Sequence, residues 1–188
     1  MSSTTMNDIL GQLGTVADGL SEETVKACAE KIDAHSRVFV YGAGRSGLML
    51  RALAMRLMQM GKCAYVVGET VTPSVEEGDL LILASASGKT HSVCHYAEVA
   101  KNCGVDLMII TAKKEQVSSA AENVAGSPLT AIAPADVQFS VPDKDSGTGS
   151  GQVMGSLFEQ SLLLFGDSLV QHLAVDPQRM RKNHANLE

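Results

Sequence analysis

The 188-residue chain has no Lys/Arg run longer than the pairs Lys113-Lys114 and Arg181-Lys182. With a formal net charge of −6 and a pI near 5.3, it offers no footprint for nucleic acid or an anionic membrane. A small molecule is therefore the expected partner. The chain also lacks any run of about 18 apolar residues, and its start, MSSTTMNDIL, lacks the charged and then apolar segments of a secretory leader. A cytoplasmic location is expected. Cys28, Cys63, Cys94 and Cys103 form no C-x-x-C, which excludes a spelled-out zinc knuckle or redox pair and leaves them as expected buried small hydrophobes. His35, His95 and His172 show no metal-ligand spacing, so no metal is expected and they are read as structural. No internal repeat or low-complexity tract suggests a solenoid.

What is present fits one domain over residues 1–188, long enough to bury roughly two thirds of the unfolded chain's surface. Two helices are expected first, over about 4 to 19 and 21 to 34, the second opening at Ser21 with Glu22 and Glu23 in its first turn, where acids suit the helix dipole. Short apolar runs then alternate with helical stretches: RVFVY (37–41), CAYVVG, DLLILAS (79–85), DLMIIT (106–111) and DVQFSV (136–141). Nearly continuous apolar strands between helices predict an α/β fold, a three-layer αβα sandwich around a five-stranded parallel sheet. A last helix and tail follow over about 155–188. Two turn-rich stretches interrupt the pattern, Ala125 to Pro134 and Pro142 to Gly151. The second reads as a surface loop, or as a substrate lid ahead of the last helix.

After the first strand, Gly42-Ala43-Gly44-Arg45-Ser46-Gly47 spells G-x-G-x-x-G. Its glycines allow a tight turn, and a helix starting there aims free N–H groups and a positive dipole end at an anion. A nicotinamide dinucleotide is one reading. It gains from Glu69, 27 residues after Gly42, although the usual acidic spacing is about 20. The helix that follows is unusual: in LMLRALAMRLMQM (48–60) ten of thirteen residues are apolar. A helix without an ordinary solvated face is buried on nearly all sides, which in a chain this small implies a subunit interface. A homo-oligomer is expected, with a tetramer as its form.

The third strand runs into Ser85-Ala86-Ser87-Gly88-Lys89-Thr90. Three hydroxyls around a glycine at a strand-to-helix junction suit a phosphate monoester, and they equally suit a helix cap with no ligand. The loop is not a P-loop, because Leu83 stands where G-x-x-x-x-G-K-[ST] requires glycine.

Together GAGRSG and SASGKT resemble the sugar isomerase (SIS) domain family, whose sugar-phosphate site lies on a glycine-bearing loop after the first strand and an S-x-S-G-x-T loop after a later one. The segments YGAGRSGLMLRALAMRLMQMG, VVGETVTP, GDLLILASASGKT, MGSLFEQSLLL and NHANLE look like the 6-phospho-3-hexuloisomerase branch, over about residues 36 to 188. The resemblance implies interconversion of D-arabino-3-hexulose 6-phosphate and fructose 6-phosphate in the ribulose monophosphate route of formaldehyde fixation, with no metal or organic cofactor. It places the substrate on Gly44, Arg45, Ser46, Ser85, Ala86, Ser87, Gly88, Lys89 and Thr90, and the catalytic base at Glu159. Moving a carbonyl between neighbouring carbons takes a base, an enediol(ate) and proton return. A carboxylate serves as that base when a partly dry pocket makes it more basic.

Each assignment has a plainer counterpart. Ser156-x-x-Glu159 ahead of an apolar run also spells a capping box. His184 in RKNHANLE is by resemblance a group for ring opening or proton relay, acting from a tail docked on a neighbouring subunit; it also fits a frayed terminus. His91 fits a solvated first-turn residue. The branch commonly has Glu at Lys89, Gly at Ala86 and a proline before Met154, so the substrate preferred is the least determined point. The alternatives carried forward are an SIS aldose–ketose isomerase of another sugar phosphate, such as arabinose 5-phosphate, and a non-catalytic sugar-phosphate sensor.

Overall fold

All five apolar runs become strands, in a computed structural model that describes residues 5–114, 126–141, 152–173 and 176–186. They are β1 (Arg37–Gly42), β2 (Cys63–Val66), β3 (Leu80–Ser85), β4 (Asp106–Lys114) and β5 (Val137–Val141). They form one parallel sheet in the order β2-β1-β3-β4-β5. The helices are α1 (Met6–Asp18), α2 (Glu22–Asp33), α3 (Gly44–Gln59), α4 (His91–Asn102), α5 (Pro128–Ile132), α6 (Ser156–His172) and α7 (Pro177–Lys182).

Side chains alternate across a strand, and the core divides accordingly. Val38, Val40, Leu80, Ile82, Ala84, Met108 and Ile110 face one way and pack with residues of α1, α2, α3 and α6. Phe39, Leu81, Leu83 and Ile109 face the other way and pack with Val93, Ala97 and Ala100 of α4 and Leu129 of α5. This is the expected three-layer αβα sandwich, with the heavier helical layer on the side that carries α3 and α6. All six residues of β3 are buried, because it is the central strand and is covered on both faces.

The connection from β2 to β3 carries no helix. It is fastened by Arg37, whose guanidinium pairs with Glu76, with the buried Asp79 at 3.1 Å and with the Ser74 carbonyl at 2.6 Å. The turn-rich stretch from Ala125 holds a short helix rather than a bare loop, since Ser127 caps α5 and Pro128 opens it, the arrangement that favours a helix start. The possible lid, Pro142 to Gly151, lies outside the described residues.

Candidate functional site

In the order 2-1-3-4-5 the chain leaves β1 toward one sheet edge and continues from β3 toward the other, so a crevice opens at their C-terminal ends. Gly42 ends β1 directly beside Ala84, the penultimate residue of β3. The GAGRSG and SASGKT loops therefore emerge side by side. In the first loop the chain folds back on itself: a Cβ on Gly47 would stand 2.2 Å from the Gly42 carbonyl oxygen, whereas Gly44, at φ +58°, has open space before it. Gly47 is thus required for contact between α3 and β1, while Gly44 shapes the cradle.

The second loop is pre-formed by its own groups. Ser85 Oγ accepts from Gly88 N at 3.1 Å and pairs with Thr90 Oγ1 at 3.0 Å, and Ser87 Oγ accepts from Lys89 N at 3.2 Å. Ser87 and Lys89 are exposed, while Ser85 and Gly88 are buried. Behind the loop stands α5: Leu129 N donates to the Gly88 carbonyl at 3.0 Å, and a Cβ on Gly88 would overlap Ser127 Oγ at 2.1 Å. Ser127, which the motifs did not single out, thus backs the second loop, and Ser-Pro at 127–128 is the sequence signal of its capped helix.

Helix capping separates the site from the rest of the fold. Thr5, Ser21, Ser127 and Asp176 each cap their helix with a side-chain oxygen. By contrast α3, α4 and α6 have no side-chain cap. Two of these three helices begin in the paired loops, and the third is tied to them through Glu159. Uncapped N-termini present free N–H donors and partial positive charge, and those of α3 and α4, opening side by side, suit an anion.

The capping box expected at Ser156 and Glu159 does not form. Ser156 is the first residue of α6 rather than its cap, and its hydroxyl donates to the Val153 carbonyl at 2.8 Å. The Glu159 carboxylate, 16% exposed, instead accepts from Arg45 Nη1 at 3.0 Å, and the arginine side chain is 46% exposed. An ion pair this open is worth at most about 1 kcal/mol, so it positions the acid without locking it. Just before α6, Met154 takes φ 55°, a left-handed conformation uncommon outside glycine, and with Val153 it leaves an exposed apolar rim.

His184 is not brought to Glu159 within one chain. Asn183 donates to the Gln59 carbonyl at 3.1 Å, which seats the tail at the C-terminal end of α3, whereas Arg45 lies at its start. At 1.5 Å per residue the two ends are about 20 Å apart. There His184 lines an open cavity of about 610 Å³ with Arg56, Gln59, Arg181 and Lys182. These cations suit the negative end of the α3 dipole.

Of the remaining histidines, His91 directly follows the second loop, next to Thr90. His91 is exposed at the start of α4; His35 binds the Lys31 carbonyl and Asp106, and His172 binds the Ser168 carbonyl. Among the described residues no three His, Cys, Asp or Glu converge to hold a metal ion, and no helix is long and apolar enough to cross a membrane. The cysteines correct the expectation of uniform burial: Cys28 is buried, but Cys63 and Cys103 are exposed. Burial, with Asp136 nearby, pushes the Cys28 thiol up to about 11, which keeps it an unreactive thiol at neutral pH.

The apolar helix α3 is only half covered. Leu48, Met55 and Met58 are exposed, as are Leu163 and Leu164 on α6, which packs beside it with Leu53 against Gly166. Five large apolar side chains on two neighbouring helices exceed the scatter normal for a solvated surface.

Residues 31–131 match the SIS domain family. The chain is 40% identical to the 3-hexulose-6-phosphate isomerase of Bacillus subtilis, with 96% of each chain covered. It is 38% identical to the enzyme of that name from Mycobacterium gastri, over 97% of this chain and 92% of the relative. Among solved structures, it superposes with TM-score 0.75 and 30% identity on a Methanococcus jannaschii protein, covering 97% of this chain and 98% of that one. The crystal structure of that protein was described as inferring a 3-hexulose-6-phosphate isomerase function.

Proposed function

The chain belongs to the SIS domain family, and on that premise we propose that it interconverts D-arabino-3-hexulose 6-phosphate and fructose 6-phosphate, as a step of the ribulose monophosphate route. The observation that carries the reading is the set of uncapped N-termini: α3 and α4 open side by side, and α6 is joined to them by the Arg45–Glu159 pair. The near-full-length likeness to relatives named for this reaction supports the substrate.

In this reading the phosphate lies across Gly44 to Ser46 and Ser85 to Thr90, where backbone N–H groups, the Ser46, Ser87 and Thr90 hydroxyls and the Lys89 ammonium converge. The sugar chain then extends toward α6. Glu159 takes the proton from C2, the C3 carbonyl becomes one oxygen of an enediolate, and return of the proton to C3 leaves the carbonyl on C2. The hydroxyl proton that must move between O2 and O3 is assigned to His184, delivered from a neighbouring subunit because its own chain holds it at the far end of α3. Removing residues 183 to 188 is then expected to lower turnover at least about tenfold with an unchanged far-UV circular dichroism spectrum. Retained activity would leave the tail a structural role.

The exposed Leu48, Met55, Met58, Leu163 and Leu164 are the face on which copies join, and a homotetramer is the proposed assembly. Light scattering at micromolar concentration is expected to give the tetramer mass, and a monomer would contradict it. The soluble route also implies a cytoplasmic enzyme without nucleic-acid partners. The deciding assay supplies D-arabino-3-hexulose 6-phosphate and reads fructose 6-phosphate through coupled NADPH formation. Absence of signal would defeat the proposal, and turnover of arabinose 5-phosphate in its place would move the chain to the five-carbon isomerases.

A further inference from the structure

We propose that Arg45 is a substrate-operated latch on Glu159: it holds the carboxylate while the phosphate site is empty and is drawn off it when a phosphate dianion binds. The inference rests on the isomerase reading above and concerns the control of that site.

Three observations lead to it. The Glu159 carboxylate is not held by backbone donors, because the capping box is absent, and its ion-pair partner among the described residues is Arg45. Arg45 is the second residue of α3, so it belongs to the very turn whose uncapped N–H groups form one wall of the phosphate cradle. The pair is also lopsided: the acid is mostly buried and the arginine side chain is nearly half exposed. The arginine can therefore swing outward without disturbing packing, while the acid stays where it is.

A carboxylate oxygen that accepts an N–H from a guanidinium has that lone pair occupied and its charge neutralised, so it is a poor acceptor for a C–H proton. A phosphate monoester carries a charge of about −1.5 to −2 and three acceptor oxygens, and it takes arginine in a bidentate manner. Against a partly exposed single-contact carboxylate pair it wins the guanidinium, and it wins on the arginine's own helix turn. The charge then leaves Glu159 at the moment the sugar arrives. Binding of the non-reacting phosphate thus prepares the base, which is how remote binding energy is directed into the chemical step. Lys89, exposed on the neighbouring loop with no ion pair among the described residues, remains as a second cation for the phosphate when Arg45 is replaced.

The test compares wild type, Arg45→Gln and Arg45→Lys on the unphosphorylated ketose D-arabino-3-hexulose, with and without phosphite dianion, and on the 6-phosphate, with fructose or fructose 6-phosphate measured as product. A latch predicts that wild type handles the unphosphorylated sugar slowly and is accelerated about fivefold by phosphite, the most that so open an ion pair can withhold. Arg45→Gln then turns over the same sugar about fivefold faster than wild type without phosphite, and added phosphite has no effect. On the 6-phosphate, Arg45→Gln loses mainly in KM and retains kcat to within a few-fold. Arg45→Lys, which makes a single weaker contact, falls between the two and covers the case of a Gln variant that does not fold. An arginine that only binds phosphate predicts the opposite on the unphosphorylated sugar: Arg45→Gln no faster than wild type. That result, with wild type active on the 6-phosphate, overturns the latch alone. Wild type inactive on the 6-phosphate overturns the isomerase reading and the latch with it.

Discussion

Glu159→Gln is expected to lower kcat about a thousandfold, within the range that a positioned general base contributes, and to leave the affinity for fructose 6-phosphate within about threefold. The substitution keeps the size and planarity of the side chain. Its amide oxygen still accepts from Arg45 at the place where the carboxylate accepts at 3.0 Å, so the first turn of α6 is not disturbed. What it removes is the ability to take a proton from carbon. Affinity survives because the phosphate is held by the two loops and not by α6. Calorimetric titration with fructose 6-phosphate, set beside coupled-assay turnover, separates these effects. Turnover near the wild-type value would remove Glu159 from the role, and a matching loss of affinity would make it a binding residue instead.

The second large effect is expected from Gly47→Ala. The added methyl would stand 2.2 Å from the Gly42 carbonyl oxygen and 3.1 Å from its carbonyl carbon, all main-chain atoms that no rotamer change can move aside. Relief requires α3 to back away from β1, and α3 is held by Leu50, Leu53 and Leu57, buried in the same core as Val38 and Val40 of β1. Forcing an extra carbon into such a contact is expected to cost about 3 kcal/mol, roughly 10 °C in Tm for a chain of this size. It also displaces the N-terminus of α3 and with it the phosphate cradle, so fructose 6-phosphate binding should fall below detection. Gly44→Ala, in the same motif, is the control. Its methyl meets open space, and only the left-handed backbone is strained, at about 1 kcal/mol. A denaturant series in which the two variants lose equal stability would contradict the assignment of Gly47 as the contact and Gly44 as the cradle.

These two glycines also mark how far the sequence could be read. G-x-G-x-x-G announced a close approach and an anion but did not say which glycine does which, because that depends on the distance between the start of α3 and the end of β1. The strands were legible because apolar runs of four to six residues between helical stretches are local patterns. The αβα layering follows from them, and DLLILAS became a strand buried on both faces, as continuous hydrophobicity requires. The resemblance of SASGKT, GAGRSG and MGSLFEQ to one family was legible too, since it resides in the order of residues. Cys28 is buried as expected, while Cys63 and Cys103 are exposed for the complementary reason: they lie at the ends of elements, where composition does not tell inside from outside.

The acid of α6 shows the division most clearly. Sequence spacing alone left Ser156 and Glu159 suited to capping or to catalysis, because both uses place the same residue types at the same interval. Folding removed the first option: α6 begins one residue too early for Ser156 to serve as its cap, and Arg45, distant in sequence, takes the carboxylate. His184 was likewise placed by the tertiary structure, at the end of α3 away from Glu159. What the sequence determined by itself was the five strands, the long helices, the family and the list of candidate groups, because periodicity and motif are properties of neighbours along the chain. What only the tertiary structure decided was which groups meet, because the strand order 2-1-3-4-5 brings the ends of β1 and β3 together and leaves three helix N-termini there without caps.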